Sequence, residues 1–345
     1  MELSQNYEFL AAALTAITGD LVLDTPVPGD NTKIPERYNI KHLWNGEKEN
    51  SFDLETLCER VLTYYCPPSD ENTEGPPLYI RTMTGVTIKL FIDRSNTVLC
   101  LKKKIQEEID IHPDQQRLLP YGWFNLSTLG AFSPMATTFL EQDSDFFLKD
   151  LWPISKFKFK DNTIILEVFG GKPPSAQLLD KDIFDTTKNC DFTWLHDDKT
   201  YMRGNFVYKR PYGWNRIAFD VEDKYFDNSW YGDDPGHGYQ NYRESSLKDE
   251  WPVSYHGSKD KLYNMLKLAD SNNEGRLAKG FYSCPDPKVA EESASVFSFK
   301  SREFKVMIQS RVNMNDTAIV GDQKFYSTTN LENIRTIGLL IKSVD

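Results

Sequence analysis

The chain has no paired cysteines, no surplus of basic residues and no long apolar run, and each lack removes a class of function. Its five cysteines, Cys58, Cys66, Cys100, Cys190 and Cys284, are odd in number and scattered. No CxxC pair and no Cys/His spacing of a zinc site occurs. That pattern favours reduced thiols in a cytoplasmic or nuclear protein, and no metal site is expected. Against 40 Lys and Arg stand 51 Asp and Glu, a net charge of −11. A protein that grips nucleic-acid phosphates or an anionic membrane carries the opposite sign, so neither partner is expected. No stretch approaches the roughly 20 apolar residues of a membrane helix. The apolar run at 9–14 is flanked by Glu2 and Glu8 and lacks the basic start of a signal peptide. No Gly-x-Ser-x-Gly elbow is present, which argues against a Ser/His hydrolase.

What the chain does contain is globular material. Hydrophobic residues make up 39% and aromatics 13%, and 345 residues suffice for two or three domains. Residues 1–66 read as a small helical segment, with helices predicted over 7–17 and 52–65. Leu54, Leu57, Val61 and Leu62 give the second its helical spacing, and Asp53 stands near its start. Residues 67–77 hold four prolines and no apolar residue, the composition of a linker. From Leu78 the alternation is that of strands. Residues 78–82, a Met83-Thr84-Gly85 turn and 86–92 read as a hairpin. An amphipathic helix over 98–110 follows, with Leu101, Ile105 and Ile109 spaced by four and Asn96 or Thr97 placed to cap it. Residues 113–119 and a strand over 162–169 complete the order of a β-grasp domain.

Thr82-Met83-Thr84-Gly85-Val86-Thr87-Ile88-Lys89-Leu90, Leu101-Lys102-Lys103-Lys104-Ile105-Gln106 and Pro113-Asp114-Gln115-Gln116-Arg117-Leu118 resemble the first hairpin, the helix and the following strand of ubiquitin. The likeness covers residues 78–171, while 124–160 is longer and more aromatic than its ubiquitin counterpart. It implies a receptor-binding patch at Met83, Leu119 and Ile165, unless the long insertion covers that face and makes these residues core. Gly170-Gly171 stands where ubiquitin is processed, but Glu167, Val168 and Phe169 precede it instead of basic residues. An ordinary turn into a linker over 172–189 is expected there, without cleavage.

Residues 190–345 read as one aromatic-rich α+β domain. Strand-like alternation surrounds Pro211-Tyr212-Gly213-Trp214, and 231–247 is a polar loop with three glycines. Trp251-Pro252-Val253-Ser254-Tyr255 reads as a buried strand ending in His256-Gly257-Ser258, before a helix over 261–268. Gly280-Phe281-Tyr282-Ser283 precedes Pro285-Asp286-Pro287 and a helix predicted over 289–296. Residues 304–312 and 334–342 are the clearest later strands.

The order strand–His-Gly-Ser–helix, Lys-Gly-Phe-Tyr-Ser–helix, then strand pairs, resembles the ADP-ribosyltransferase fold of the poly(ADP-ribose) polymerase and diphtheria-toxin kind. The likeness spans roughly 205–345 and includes Tyr212-Gly213-Trp214. It implies NAD as substrate. His256 would bond a ribose hydroxyl, the Gly257 backbone the nicotinamide carboxamide, and Ser258 the nucleotide. Tyr282 would stack on nicotinamide, with Ser283 close by. The family's glutamate, which stabilises the oxocarbenium-like ribose, falls near Gln323-Lys324-Phe325-Tyr326, with Asp322 the nearest acid. Gln323 is thus the third candidate catalytic residue, and it carries no charge. The expected fold class is α+β: a helical N-terminal segment, a ubiquitin-like β-grasp domain and an ADP-ribosyltransferase-like domain. Two functions follow: a mono-ADP-ribosyltransferase, not a polymerase, directed to ubiquitin-pathway proteins, or an inactive fold serving as an adaptor. The acceptor is not named by the sequence.

Overall fold

The computed structural model describes residues 6–25, 51–65, 76–82, 85–111, 113–121, 148, 152–168, 176–194, 199–222, 224–225, 227–232, 243–271 and 277–344. Met83, Gly170-Gly171, most of the 67–77 linker and residues 233–242 of the polar loop lie outside them. The chain divides into two units: Met1–Pro67 with Pro173–Asp345, and Pro68–Lys172.

The first unit begins with α1 (Tyr7–Thr18). The Asn6 side chain accepts from Phe9 N, and Gly19, at φ 79°, closes the C-terminus in the left-handed conformation that glycine adopts without strain. Phe9, Leu10, Ala13, Leu14 and Ile17 are buried. Strands β1 (Leu21–Leu23) and β2 (Ser51–Phe52), helix α2 (Leu54–Val61) and strand β3 (Thr63–Tyr65) follow. The sequence predicts one helix over 52–65. It ends at Val61 because Thr63-Tyr64-Tyr65, aromatic and β-branched, finds a strand partner far along the chain.

The second unit holds β4 (Leu78–Thr82), β5 (Thr87–Leu90), α3 (Val98–Ile109), β6 (Gln116–Pro120) and β7 (Thr163–Val168) in the sheet order β5-β4-β7-β6. β4 runs antiparallel to β5 and parallel to β7, with Ile80 opposite Ile88 and Ile164. Gly85, at φ 91°, lets the hairpin close through Gly85 N to Thr82 O. Thr97, rather than Asn96, caps α3 by accepting from Cys100 N. Leu101 and Ile105 are buried with Leu78, Ile80, Leu118, Ile164 and Leu166. The buried Gln116 amide donates to Lys102 O and Ile111 O and ties the helix to β6.

The first unit resumes with β8 (Ala176–Leu179), β9 (Cys190–Asp191), β10 (Met202–Arg203), β11 (Phe206–Val207) and β12 (Asn215–Ala218). Then come β13 (Val253–His256), α4 (Lys259–Ser271), β14 (Gly280–Ser283) and α5 (Pro287–Glu292). Strands β15 (Ser295–Phe299), β16 (Arg302–Val312), β17 (Thr317–Val320), β18 (Phe325–Thr328) and β19 (Ile334–Ser343) close it. The stretch 172–189 is therefore not all linker: β8 lies between β1 and β2 and pairs parallel with both. The helix expected over 289–296 stops at Glu292, because Val296 and Phe297 alternate into the β15–β16 hairpin.

Two larger sheets dominate. One is six-stranded, β13-β16-β19-β12-β9, with β15 pairing the other end of β16. The second, β17-β18-β14-β3, is antiparallel throughout. α1 lies on the β15 end of the first, where Phe9 meets Phe297, Phe299 and Phe304 at 5.5, 5.1 and 4.9 Å.

At the opposite end of β16, the Glu250 carboxylate is wholly buried and meets Arg243 at 2.7 Å, Arg311 at 3.2 Å and Arg203 at 3.4 Å. Its other oxygen accepts from Leu247 N at 3.0 Å. Glu250→Ala strands three guanidinium groups and should lower the unfolding free energy by about 3–5 kcal/mol. Urea denaturation reads this directly; a loss under about 1 kcal/mol would mean that solvent replaces the carboxylate.

Candidate functional site

Tyr255 N donates to Cys284 O and Cys284 N to Tyr255 O, both at 2.8 Å, which joins β13 to β14 by a single antiparallel bridge. One residue further in that register, His256 lies beside Ser283. Both are buried, at 0% and 1% exposure. Neither ring nitrogen of His256 has a hydrogen-bond partner, and neither has the Ser283 hydroxyl. The same is true of Ser254 and Ser310, which are opposite one another on the same side of the six-stranded sheet as His256. Such groups are rare in interiors, and their clustering at one place sets this part of the core apart.

Burial drives the His256 pKa down to about 4, while the nearby Tyr282 main chain opposes the shift without reaching hydrogen-bond geometry. The imidazole is neutral at pH 7, able to donate from one nitrogen and accept at the other.

Gly257 and Ser258 connect β13 to α4. A Cβ on Gly257 would stand 2.4 Å from the Ser293 carbonyl oxygen, so glycine is required there by the close approach of the end of α5. Ser258 N donates to Ser293 O at 2.8 Å, and Ser258 O accepts from Leu262 N in the first turn of α4.

Tyr282 has no accessible surface. Its hydroxyl donates to Ala278 O at 2.6 Å, and burial pushes its pKa up to about 12. Its ring meets Tyr65 at 5.9 Å and Phe325 at 6.3 Å, both nearly edge-on. Ser327 stands opposite it on β18. Gln323 is elsewhere: it sits in the exposed turn between β17 and β18 at φ 67°, after Asp322 at φ 52°. His256 thus lies beside the Tyr282–Ser283 main chain, the Tyr282 ring packs into the core on the other face, and Gln323 does not join them. Tyr65, Ser293, Ser310 and Ser327 are neighbours of the site that the motifs do not point to. The one hint is the β-branched and aromatic composition of 63–65, which favours a strand without naming its partner.

A cavity of about 490 Å³ opens beside α5, walled by Tyr201, Tyr208 and Trp214 with Lys209, Asp286 and Lys288. It does not include His256 or Tyr282. Several of its charges are engaged: Lys209 pairs with Asp286 at 2.7 Å, and Glu291 with Lys305 and Lys342. Among the described residues no cluster of His, Cys, Asp and Glu could hold a metal ion, and no helix is long and apolar enough to cross a membrane.

In the second unit, Leu119 and Ile165 are opposite one another across β6 and β7, on the side away from Leu118 and Leu166. Leu119 is buried and Ile165 half-buried. Residues 78–122, from β4 through β6, match the Ubiquitin family. This part of the chain is ubiquitin-like. The protein is a mixed α+β chain with a ubiquitin-like domain carried between two stretches of its other unit.

His256 also gives the site a pH signature. Unfolded, the imidazole titrates near 6.5; folded, near 4. Between these values only the unfolded chain takes up the proton, so this group costs nothing above pH 6.5 and destabilises increasingly toward pH 4. The full effect is on the order of 3 kcal/mol. His256→Gln should flatten this part of the stability curve measured by denaturant titration. Identical slopes in both proteins would show that the imidazole reaches water.

Proposed function

We propose that the protein is a ubiquitin-like adaptor whose other unit keeps the dinucleotide-binding shell of an ADP-ribosyltransferase and has lost the group that drives transfer. The observation that carries this reading is the position of Gln323. Cleaving the nicotinamide–ribose bond builds positive charge on the ribose, and a fixed carboxylate facing that charge supplies the stabilisation. Gln323 offers no charge and turns to solvent, and the adjacent Asp322 is exposed with it.

The binding half of the machinery is better served. The unpartnered nitrogens of His256 and the hydroxyl of Ser283, side by side at the seam of the two sheets, suit the hydroxyls of a ribose. NAD is the ligand this reading assigns, with His256, Gly257, Ser258 and Ser283 on the nucleotide and Tyr282 at the nicotinamide. The ubiquitin-like domain then selects the partner. Leu119 is buried, and this reading assigns the half-buried Ile165, with Arg81 beside it on β4, to a receptor of ubiquitin.

Nicotinamide release from NAD by the full chain decides between shell and enzyme. No release above the His256→Ala control is expected, and Gln323→Glu should not raise it. NAD at millimolar concentration should still raise the melting temperature by a few degrees, an effect lost in His256→Ala. Turnover abolished by His256→Ala would establish a mono-ADP-ribosyltransferase instead. No stabilisation by NAD would remove the nucleotide from the reading.

A further inference from the structure

Tyr212-Gly213-Trp214, which the sequence sets apart, takes no part in the seam at His256. Tyr212 and Trp214 instead line the cavity beside α5, whose volume of about 490 Å³ is that of a small-molecule site. Its walls are fixed by hydrogen bonds of their own. Tyr208 N donates to Tyr201 O at 2.7 Å, Gly213 N to Phe192 O at 3.0 Å and Trp214 N to Pro211 O at 3.1 Å. Gly213, at φ 85°, permits the turn that leads into β12. The hydroxyl of the buried Tyr255 donates to Lys209 O at 2.6 Å, and the Gln309 amide donates to the Tyr208 hydroxyl at 3.2 Å. Interiors are packed as densely as organic crystals, and large rings ordinarily fill such a space. Here Tyr201, Tyr208 and Trp214 are at most 6% exposed and still leave it open.

The charge around the cavity runs against that of the chain. Lys199, Lys209, Arg210 and Lys288 line it, against Asp286 and Glu291, in a protein of net charge −11. Both acids are already met from within the protein, Asp286 by Lys209 and Glu291 by Lys305 and Lys342. The buried Arg210 guanidinium stands 3.3 Å from the centre of the Tyr201 ring, so a delocalised cation and an aromatic ring share one wall. Lys288 is exposed and has no ion-pair partner among the described residues. A concave wall of one sign concentrates its field on whatever enters. Rings that border open space suit a flat apolar group, and the surplus cations suit a negative one.

We propose that this cavity is a binding site, separate from the His256 seam, for a small anion borne on a flat ring, either a mononucleotide or an aromatic carboxylate. The ring lies against the tyrosine and tryptophan walls, and the phosphate or carboxylate faces Arg210 and Lys288. None of His256, Gly257, Ser258, Tyr282 and Ser283 lines the cavity, so the site stands whether or not NAD binds at the seam.

Calorimetric titration of the full chain with AMP and, separately, with naphthoate tests this. At least one should bind saturably with a Kd below roughly 1 mM, and the tighter of the two identifies the anion as phosphate or carboxylate. Lys288→Glu reverses one charge of the wall and should weaken binding by roughly tenfold or more. Val207→Trp, at an exposed residue of the same wall, should abolish it by filling the space. Both positions are exposed, so neither change threatens the fold. His256→Ala should leave the affinity as it is. Saturable binding of neither probe would overturn the proposal, as would binding that ignores both Lys288→Glu and Val207→Trp. Inorganic phosphate as tight as AMP would remove the ring, and adenosine as tight as AMP would remove the anion; either overturns the site as described. AMP binding lost in His256→Ala but kept in Lys288→Glu would move the nucleotide to the seam, against this proposal and in favour of the function proposed above. Binding that follows Lys288 and Val207, with no stabilisation by NAD that depends on His256, keeps the cavity site and removes the nucleotide from the seam.

Discussion

The reciprocal pair of hydrogen bonds between Tyr255 and Cys284 is the join on which the C-terminal fold depends. β13 gives one edge to β16, and β14 gives one edge to β18, so each strand belongs to a different sheet. At the bridge they meet for one residue and then diverge. His256 and Ser283, the next residues along the two strands, are buried there with side chains that find no hydrogen-bond partner.

Around this join the environment is divided by face. The side of Tyr255, Tyr282 and Cys284 is a packed core with Tyr65, Leu262, Leu266 and Phe325. On the other side lie Ser254, His256 and Ser310, fully buried and without partners. The aromatic face provides cohesion, since rings in edge-on contact bury much area and hold one geometry. The polar face is costly to hide, since each unmet hydroxyl or imidazole forfeits its hydration. Cohesion and its polar cost thereby fall on opposite sides of the same two strands.

Much of this was legible in the sequence where the determinants are local. The alternation at 78–82 and 86–92 and the fourfold spacing of Leu101 and Ile105 specify the hairpin and helix of the ubiquitin-like domain without reference to anything distant. The strand ending at His256 was readable as a short apolar run, whereas Gly280-Phe281-Tyr282-Ser283 stood out as a motif and not as the strand it forms. Thr63-Tyr64-Tyr65 was not, since its conformation is decided by β14, more than two hundred residues later. β8 escaped notice because four residues flanked by polar sequence give no period to count. Ser293 and Ser310 bear on the site through backbone approach and sheet register, neither of which leaves a motif. Gln323 shows the converse: a position in a motif fixes neither the φ of the residue nor its exposure.

The pairing of β1 and β2 with β8 has a consequence for how the protein is made. Both N-terminal strands wait for a partner encoded after the ubiquitin-like domain, and β3 waits longer still for β14. At ribosomal rates the delay before β8 emerges is on the order of ten seconds. During that time the ubiquitin-like domain, whose own strands are all in hand, can fold. The apolar residues of α1 meanwhile have β1 and α2 beside them but not yet β15 and β16. The nascent chain therefore presents a finished domain behind an unfinished one. Apolar surface left open for such an interval is the kind that chaperones cover.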